Sequence, residues 1–125
     1  MAEKGADLLI TLTRHENDLN NVTIAFTMGY EAAKRGLDVE IMLLSYGVYL
    51  GAKDYAKYMD IGAPFKPVQE LIDLYMEAGG TLKVCSACME HNHVPAEDLI
   101  EGSVIITAPD VLDGLLSAEK TLQLN

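Results

Sequence analysis

Two cysteines and two histidines lie within nine residues, from Cys85 to His93, in the order Cys-Ser-Ala-Cys-Met-Glu-His-Asn-His. Cys85 and Cys88 are the only cysteines of the chain. A thiol acts as a nucleophile or as a metal ligand only in its thiolate form. A strand end that leads into a helix places partial positive charge near such a thiol and favours the thiolate. The segment could therefore carry sulfur, exchange disulfides or bind a metal.

The two cysteines are candidates for different chemical roles. Cys85 follows an apolar run that predicts a strand, and backbone amides of the following turn could stabilise a negative sulfur there. If the segment coils, Cys88 lies one helical turn further on, close enough to resolve a persulfide or a mixed disulfide on Cys85. Core packing is the alternative for both, because cysteine is among the residues most often buried. We predict both as catalytic residues.

A metal site is a second interpretation of the same segment. Cys85, Cys88, His91 and His93 are four ligands of the kind that zinc binds in a tetrahedron. Structural zinc sites generally join two ligand pairs that lie a dozen or more residues apart, whereas these four are close together in the chain. We therefore predict no metal and no cofactor, and interpret the two histidines as binding residues that could act as cationic neighbours of Cys85.

Other candidate binding residues follow the first two predicted strands. His15 and Glu16 come after the first strand, and Tyr46 and Gly47 come after the second. The carboxyl ends of parallel strands share one edge of the sheet, where ligands bind in folds of this type. We therefore expect these four residues to face the cysteines across a crevice, with a solvated loop as the alternative for His15 and Glu16.

Short apolar runs alternate with helical patterns along the whole chain. Strands are predicted at 7–13, 37–45, 81–84, 103–107 and 121–124. Helices are predicted around 22–33 and 67–78, and Pro95 and Pro109 are expected to begin two more, the first of them short. This alternation predicts an α/β fold of three layers, α/β/α, around a mainly parallel sheet of five strands. We expect one domain, residues 1–125.

The stretch from Tyr46 to Lys66 is irregular and aromatic. It holds Phe65 and four of the six tyrosines, and a short helix around 53–58 is one interpretation of its middle part. A loop of this length in a small domain is usually a lid, a binding loop or an oligomer contact. Tyrosines suit half-buried contacts, so we expect packing over the sheet edge or against a sister subunit.

Charge and composition exclude several classes of function. The net charge of −10 would repel a nucleic-acid backbone or an anionic bilayer, so we predict neither as a partner. The apolar runs are much shorter than the roughly 20 residues that span a membrane, and the first residues do not resemble a signal peptide. We predict a cytoplasmic protein, where reduced cysteines are more often catalytic or metal-binding than structural.

The order of these motifs resembles the DsrE/DsrF-like (YchN-like, TusD-related) family of sulfur-relay proteins, which are small cytoplasmic α/β domains. The resemblance covers Asp7 to Leu124. It rests on a helix end at 33–36 (Ala-Lys-Arg-Gly), a Gly-Val loop at 44–48 (Leu-Ser-Tyr-Gly-Val), a helix end at 78–80 (Ala-Gly-Gly) and a strand end at 83–85 (Lys-Val-Cys). Relay members often continue from the cysteine into an Arg-Gly pair, whereas this chain has Glu-His-Asn-His at 90–93.

The resemblance implies a function and a set of partners. It implies that Cys85 accepts sulfane sulfur as a persulfide and passes it on, as a sulfur carrier or a sulfurtransferase. It also implies donor and acceptor proteins and a homo-oligomer, either a trimer or a hexamer. Two alternatives stay open: a non-catalytic oligomeric binding module that uses the aromatic loop at 46–66, and a metal-binding protein that uses the cysteines and histidines of 85–93.

Overall fold

The structure is a computed structural model, and it describes residues 4–125. Its five strands are β1 (Leu8–Leu12), β2 (Val39–Leu43), β3 (Thr81–Cys85), β4 (Val104–Ile106) and β5 (Lys120–Leu124). They form one sheet in the order β4-β3-β2-β1-β5, and every neighbouring pair is parallel. The predicted α/β architecture with five strands is confirmed, and the sheet is wholly parallel within the described residues.

Helices connect all the strands. The α-helices are α1 (Leu19–Lys34), α2 (Val68–Glu77), α3 (Ser86–His91) and α4 (Ala108–Ser117). Two 3-10 helices lie at Ser45–Gly51 and Ala96–Asp98, the latter being the short helix that was predicted after Pro95. Asp18 caps α1 by accepting a hydrogen bond of 3.1 Å from the Asn21 N–H. None of the helices in residues 4–125 is long and apolar enough to cross a membrane.

The path of the chain places the helices unequally on the two faces of the sheet. From β1 to β4 the chain moves in one direction across the sheet, and right-handed crossovers then place the connecting helices on one face. The connection from β4 to β5 returns across the sheet, so α4 lies on the opposite face. We call the face that is covered by the helices connecting β1 to β4 the packed face, and the face that is covered by α4 the open face.

The packed face holds most of the hydrophobic core. Its largest fully buried side chains are Val22, Phe26, Ile10, Leu12, Ile41, Leu43, Leu50, Ile72, Tyr75 and Leu82. The Tyr75 hydroxyl donates hydrogen bonds to the carbonyl oxygens of Val39, at 3.3 Å, and Thr81, at 2.5 Å. This side chain therefore ties α2 to the first residues of β2 and β3.

The open face has a much smaller core. Its buried residues are Leu9, Met42 and Ile106, and α4 covers them with half-buried apolar side chains. Three large apolar residues on this face are exposed, Val104 of the edge strand β4 and Leu112 and Leu116 of α4, and Ile105 is exposed on the other face of β4. One layer of the α/β/α sandwich is thus a single helix of 10 residues.

The aromatic stretch differs from the predicted short helix at 53–58. Its helical part comes earlier, at Ser45–Gly51, and residues 53–58 form turns. The segment is tied to the chain around the second 3-10 helix, because the Lys53 N–H donates to the Asp98 carbonyl and the Ile100 N–H donates to the Gly51 carbonyl, each at 2.8 Å. Tertiary hydrogen bonds hold this segment in place, which helical periodicity could not reveal.

Candidate functional site

The carboxyl ends of β1, β2 and β3 lie side by side. The register pairs Leu12 with Leu43 and Leu43 with Val84, and the Leu44 N–H donates to the Leu12 carbonyl at 3.0 Å. The segments that follow these strands therefore meet at one edge of the sheet. They are the turn after β1, the 3-10 helix after β2, and α3.

Gly47 allows the 3-10 helix after β2 to approach β1. A Cβ atom at this position would lie 2.2 Å from the carbonyl oxygen of Leu12, a contact that no side chain can make. Gly47 is buried, and its N–H donates to the Leu44 carbonyl at 2.9 Å. The predicted binding residue Gly47 is therefore a close-packing position that brings its neighbours Ser45 and Tyr46 to the edge.

Ser45 begins this 3-10 helix in an uncommon backbone conformation. Its φ is +53°, in the left-handed region that residues with a Cβ atom occupy rarely and at some energetic cost. Ser45 and Cys88 line the same cavity, and the backbone of Ser45 lowers the pKa of the Cys88 thiol, in opposition to the larger effect of burial. The strained turn thus places polar backbone beside one of the two thiols.

Both cysteines are free thiols, and they differ in exposure. Cys85 ends β3 and is 7% exposed, within the core of the packed face, whereas Cys88 on α3 is half-buried. Burial raises the pKa of the Cys88 thiol, the hydrogen bond from Ser45 opposes that shift, and a hydrogen bond to the Cys85 sulfur raises the pKa further. Cys85 immediately precedes α3 and Cys88 is the third residue of that helix, so the two thiols lie one helical turn apart, as resolution of one by the other requires.

An open cavity of about 310 Å³ lies beside Cys88. Its lining residues are Ser45, Tyr46, Ala87, Cys88, His91 and Asn92. Cys88 and His91 are three residues apart on α3 and so lie on the same side of the helix. Cys85 does not line this cavity.

His15 lies in an aromatic cluster at the same edge. Its Nδ1 atom is 3.1 Å from the Tyr55 hydroxyl, and its ring centroid is 5.3 Å from that of Tyr46 and 5.6 Å from that of Tyr49. The rings of Tyr49 and Tyr55 stack at 5.5 Å. Burial raises the pKa of Tyr55, and the charge of the exposed Glu16 adds to that shift. His15 thus forms a hydrogen bond with Tyr55, and Glu16 is close enough to affect the pKa of the same tyrosine.

A hydrogen-bonded chain links this cluster to the cysteine segment. The Tyr49 hydroxyl donates to Oδ1 of Asn92 at 3.3 Å, and Nδ2 of Asn92 donates to the Cys88 carbonyl at 2.9 Å. Asn92 therefore holds the end of α3 against the 3-10 helix after β2. The aromatic residues support the position of Cys88.

The two histidines of the segment lie in different places. His91 lines the cavity, whereas the exposed His93 follows the end of α3 with φ at +58°. The Val94 N–H donates to the Met89 carbonyl at 2.9 Å, and the His93 N–H donates to the Glu90 carbonyl at 3.3 Å. These bonds form a Schellman motif with histidine at the position where glycine is usual. Of the two predicted binding histidines, the structure brings only His91 to the cavity.

The cysteines and histidines of 85–93 do not assemble into a metal-binding cage. Within residues 4–125, no group of three or more His, Cys, Asp or Glu side chains has the geometry to hold a metal ion. The sequence spacing had left that arrangement open, and of the two histidines only His91 lines the cavity with Cys88.

Several residues of the edge were not among the predicted site residues. Ser45 and Asn92 contact the Cys88 segment directly, and Tyr49 and Tyr55 position it through Asn92 and His15. The clustering of tyrosines after β2 was a visible signal for the last two. The positive φ of Ser45 has no signature in the sequence.

Comparisons with known proteins agree with this architecture. The model of the DsrE/DsrF-like family matches residues 7–124. The uncharacterized protein MJ0989 of Methanocaldococcus jannaschii is 31% identical over 88 residues, which are 70% of this chain and 73% of that protein. The uncharacterized protein MK0008 of Methanopyrus kandleri is 25% identical over 103 residues, which are 78% and 77% of the two chains.

A solved structure shares the fold. The crystal structure of the ychN protein from E. coli superposes with a TM-score of 0.69 at 20% sequence identity, and the match covers 97% of this chain and 99% of the other. The likeness at this level of identity concerns the fold alone.

Proposed function

This chain belongs to the DsrE/DsrF-like family, and from that premise we propose that it handles sulfane sulfur and carries it as a persulfide on Cys85. The observation that carries the proposal is a pair of free thiols, one helical turn apart, at the carboxyl edge of the sheet where β3 leads into α3. A pair of this kind can hold a sulfur atom on one member and exchange it through the other.

The environment of Cys85 suits the storage of a reactive sulfur. A persulfide is oxidised and hydrolysed more slowly where solvent has little access, and Cys85 is 7% exposed. Loading requires no net oxidation, because a thiolate takes the outer sulfur of R–S–SH and RS⁻ leaves with the electron pair of the broken S–S bond. The products are Cys85–S–SH and a free thiol.

In this proposal the aromatic loop at 46–66 supports the thiol site and is not a separate binding site. Tyr49 and Tyr55 are occupied by contacts to Asn92 and His15. Of the aromatic residues of the loop, Tyr46, Tyr58 and Phe65 are exposed. These three could contact a donor protein, an acceptor protein or another copy of the chain.

Intact mass measurement tests the proposal. Reduced protein that is incubated with a sulfane-sulfur donor should gain the mass of one sulfur atom and lose it again when a reductant is added. Fragmentation of the loaded protein should place the added sulfur on Cys85. The double variant Cys85→Ser/Cys88→Ser should gain nothing, and Ser86→Ala is the control for a neighbouring change on α3. Wild-type protein that gains no sulfur would remove the proposed function.

We also propose that the chain forms a homo-oligomer, a trimer or a hexamer, in the cytoplasm. The exposed apolar residues of the open face, Leu112 and Leu116 above all at 56% and 76% exposure, would cost less free energy if a second copy covered them. Free thiols persist in a reducing compartment, which favours the cytoplasm. Light scattering on the purified chain measures the copy number, and a monomeric mass at micromolar concentration would contradict the oligomer.

A further inference from the structure

The two thiols are not equally accessible to a sulfur donor. Cys85 is 7% exposed and does not line the cavity, whereas Cys88 is half-buried and forms part of its wall. Displacement at sulfur requires the donor to approach the attacking thiolate directly. In this structure a donor molecule in the cavity meets Cys88 first.

We propose that Cys88 is the thiol that receives sulfur from the donor, that the donor is a small alkyl persulfide bound in the cavity, and that Cys88 then passes the sulfur to Cys85. This inference rests on the proposed function and adds the order of the two thiols and the class of donor. The cavity has room for a small molecule, and the side chains of Tyr46, His91 and Asn92 offer hydrogen-bonding groups to a polar donor.

The first step transfers one sulfur atom from the donor to Cys88. The Cys88 thiolate attacks the outer sulfur of R–S–SH, a new S–S bond forms on Cys88, and the S–S bond of the donor breaks. RS⁻ leaves with the electron pair and takes up the proton that the Cys88 thiol released. The backbone of Ser45 favours the Cys88 thiolate in this step, against the larger effect of burial, which raises the pKa of the thiol.

The second step transfers the sulfur atom from Cys88 to the more buried Cys85. The Cys85 thiolate attacks the outer sulfur of the Cys88 persulfide, and the Cys88 thiolate leaves and takes up the proton that Cys85 lost. The sum of both steps is R–S–SH and Cys85–SH giving R–SH and Cys85–S–SH. Neither step needs an oxidant or a reductant, and Cys88 returns to its starting state. Cys85 and Cys88 are three residues apart at the start of α3, and this separation of one helical turn brings the two thiols within reach of each other for the transfer.

The rate of sulfur gain tests the order of the thiols. With cysteine persulfide as the probe, time-resolved intact mass should show that Cys88→Ser loads about tenfold or more slowly than wild type. Cys85→Ser should hold the added sulfur on Cys88, as fragmentation would locate it. If Cys88→Ser loads Cys85 at the wild-type rate, this inference is wrong while the proposed function stands. If wild type gains no sulfur, both are wrong.

A change in the cavity wall tests the site without removing a thiol. Ala87 is an exposed cavity residue on α3, so Ala87→Leu should narrow the cavity and slow loading severalfold while the fold is kept. Ala96→Leu is the matched control, because Ala96 is exposed in the second 3-10 helix and does not line the cavity. Equal loading rates for the two leucine variants would contradict a donor site in this cavity. Circular dichroism of each variant verifies that it is folded.

Discussion

The two faces of the sheet differ in how much core they hold and in whether they reach the cavity beside Cys88. The packed face buries Phe26 and Tyr75 completely and extends to the candidate site, since Val48 and Met89 belong to the same cluster. The open face has a small core under α4 and contributes no residue to the cavity beside Cys88. The proposed thiol site is therefore built on the face with the larger core, and the proposed oligomer contact lies on the face with the smaller one.

The largest expected effect is the loss of a ring from the packed face. Phe26→Ala should lower the free energy of unfolding by about 3–5 kcal/mol, because Phe26 is fully buried and its removal leaves a cavity. Leu115→Ala is the counterpart on the open face, where the side chain is only half-buried, and it should cost less. Urea denaturation measures both. Equal losses of unfolding free energy in the two variants would contradict the difference in packing between the faces.

Replacing one glycine on each side of the sheet by alanine compares how well the two sides accommodate a new Cβ atom. Gly47→Ala should cost about 1–3 kcal/mol and reduce sulfur loading, because the new Cβ atom collides with the backbone oxygen of Leu12. Gly114→Ala places its Cβ atom 2.5 Å from Cε of Met42, the flexible end of a side chain. The helix propensity of alanine should offset that contact to within about 1 kcal/mol. Thermal denaturation compares the two, and a larger loss for Gly114→Ala would reverse the comparison.

Tyr75 gives the packed face a dependence on alkaline pH. Burial raises the pKa of Tyr75 above its ordinary value of 10.0. The unfolded chain therefore loses the phenolic proton first, and the stability contributed by Tyr75 is complete below about pH 10 and falls as the pH rises beyond it. Urea denaturation of the wild-type protein, measured from about pH 8 to about pH 11, should show the free energy of unfolding falling as the pH rises.

The variant Tyr75→Phe is the control for that slope. It should lack the contribution of Tyr75 to the pH dependence and should cost about 1–3 kcal/mol at neutral pH, because the carbonyl oxygens of Val39 and Thr81 lose their donor. An identical alkaline slope in both proteins would show that other groups, such as Cys88, account for it.

The residue that follows α3 tests whether the packed face has its most stable sequence next to the candidate site. Gly79 ends α2 with φ at +96°, whereas His93 ends α3 with φ at +58°. His93→Gly should raise the free energy of unfolding by up to about 1 kcal/mol, since glycine adopts this conformation without the Cβ penalty. Gly79→Ala should lower it by a similar amount. Chemical denaturation of both variants measures the difference, and a loss of stability in His93→Gly would mean that the imidazole makes a stabilising contact.

The smallest effect on folding is expected on the outer surface of the open face. Leu116→Glu should change the free energy of unfolding of the monomer by less than about 0.5 kcal/mol, because this side chain is 76% exposed. The same change should lower the mass of the assembly in light scattering. Ala96→Glu is the control, at an exposed residue of the second 3-10 helix that belongs neither to α4 nor to the aromatic loop. An unchanged mass for Leu116→Glu would exclude this part of α4 from the proposed interface.

Most of the fold could be predicted because its signals are local. The apolar run at 7–13 contains β1, the predicted helix at 22–33 lies within α1, and Gly79 ends α2. Prediction was weakest between 45 and 58, where the 3-10 helix begins earlier than the helix that the sequence suggested. Its position depends on hydrogen bonds to residues about 50 positions away along the chain, at Asp98 and Ile100.

The sequence predicted which segments meet at this edge of the sheet, and the role of their residues stays a prediction. The cysteines, His15 and Tyr46 do meet at the carboxyl edge of the strands, because a parallel sheet places its loops there. The difference in exposure between Cys85 and Cys88 could not be predicted, since it depends on how α3 packs against the turn at Ser45. A motif of two cysteines has no feature in the sequence that distinguishes the accessible thiol.

The two hydrogen bonds that tie residues 51–53 to residues 98–100 have a consequence for local opening. Amide hydrogens of Lys53 and Ile100 are held in bonds of 2.8 Å between segments distant in sequence, so they should exchange with deuterium slowly, together with the core. The exposed stretch at 63–67 lacks such ties to distant segments. Limited proteolysis should therefore cut there first and leave the segment at 45–53 attached, which means that the wall of the thiol cavity behaves as a fixed part of the domain rather than a moving lid.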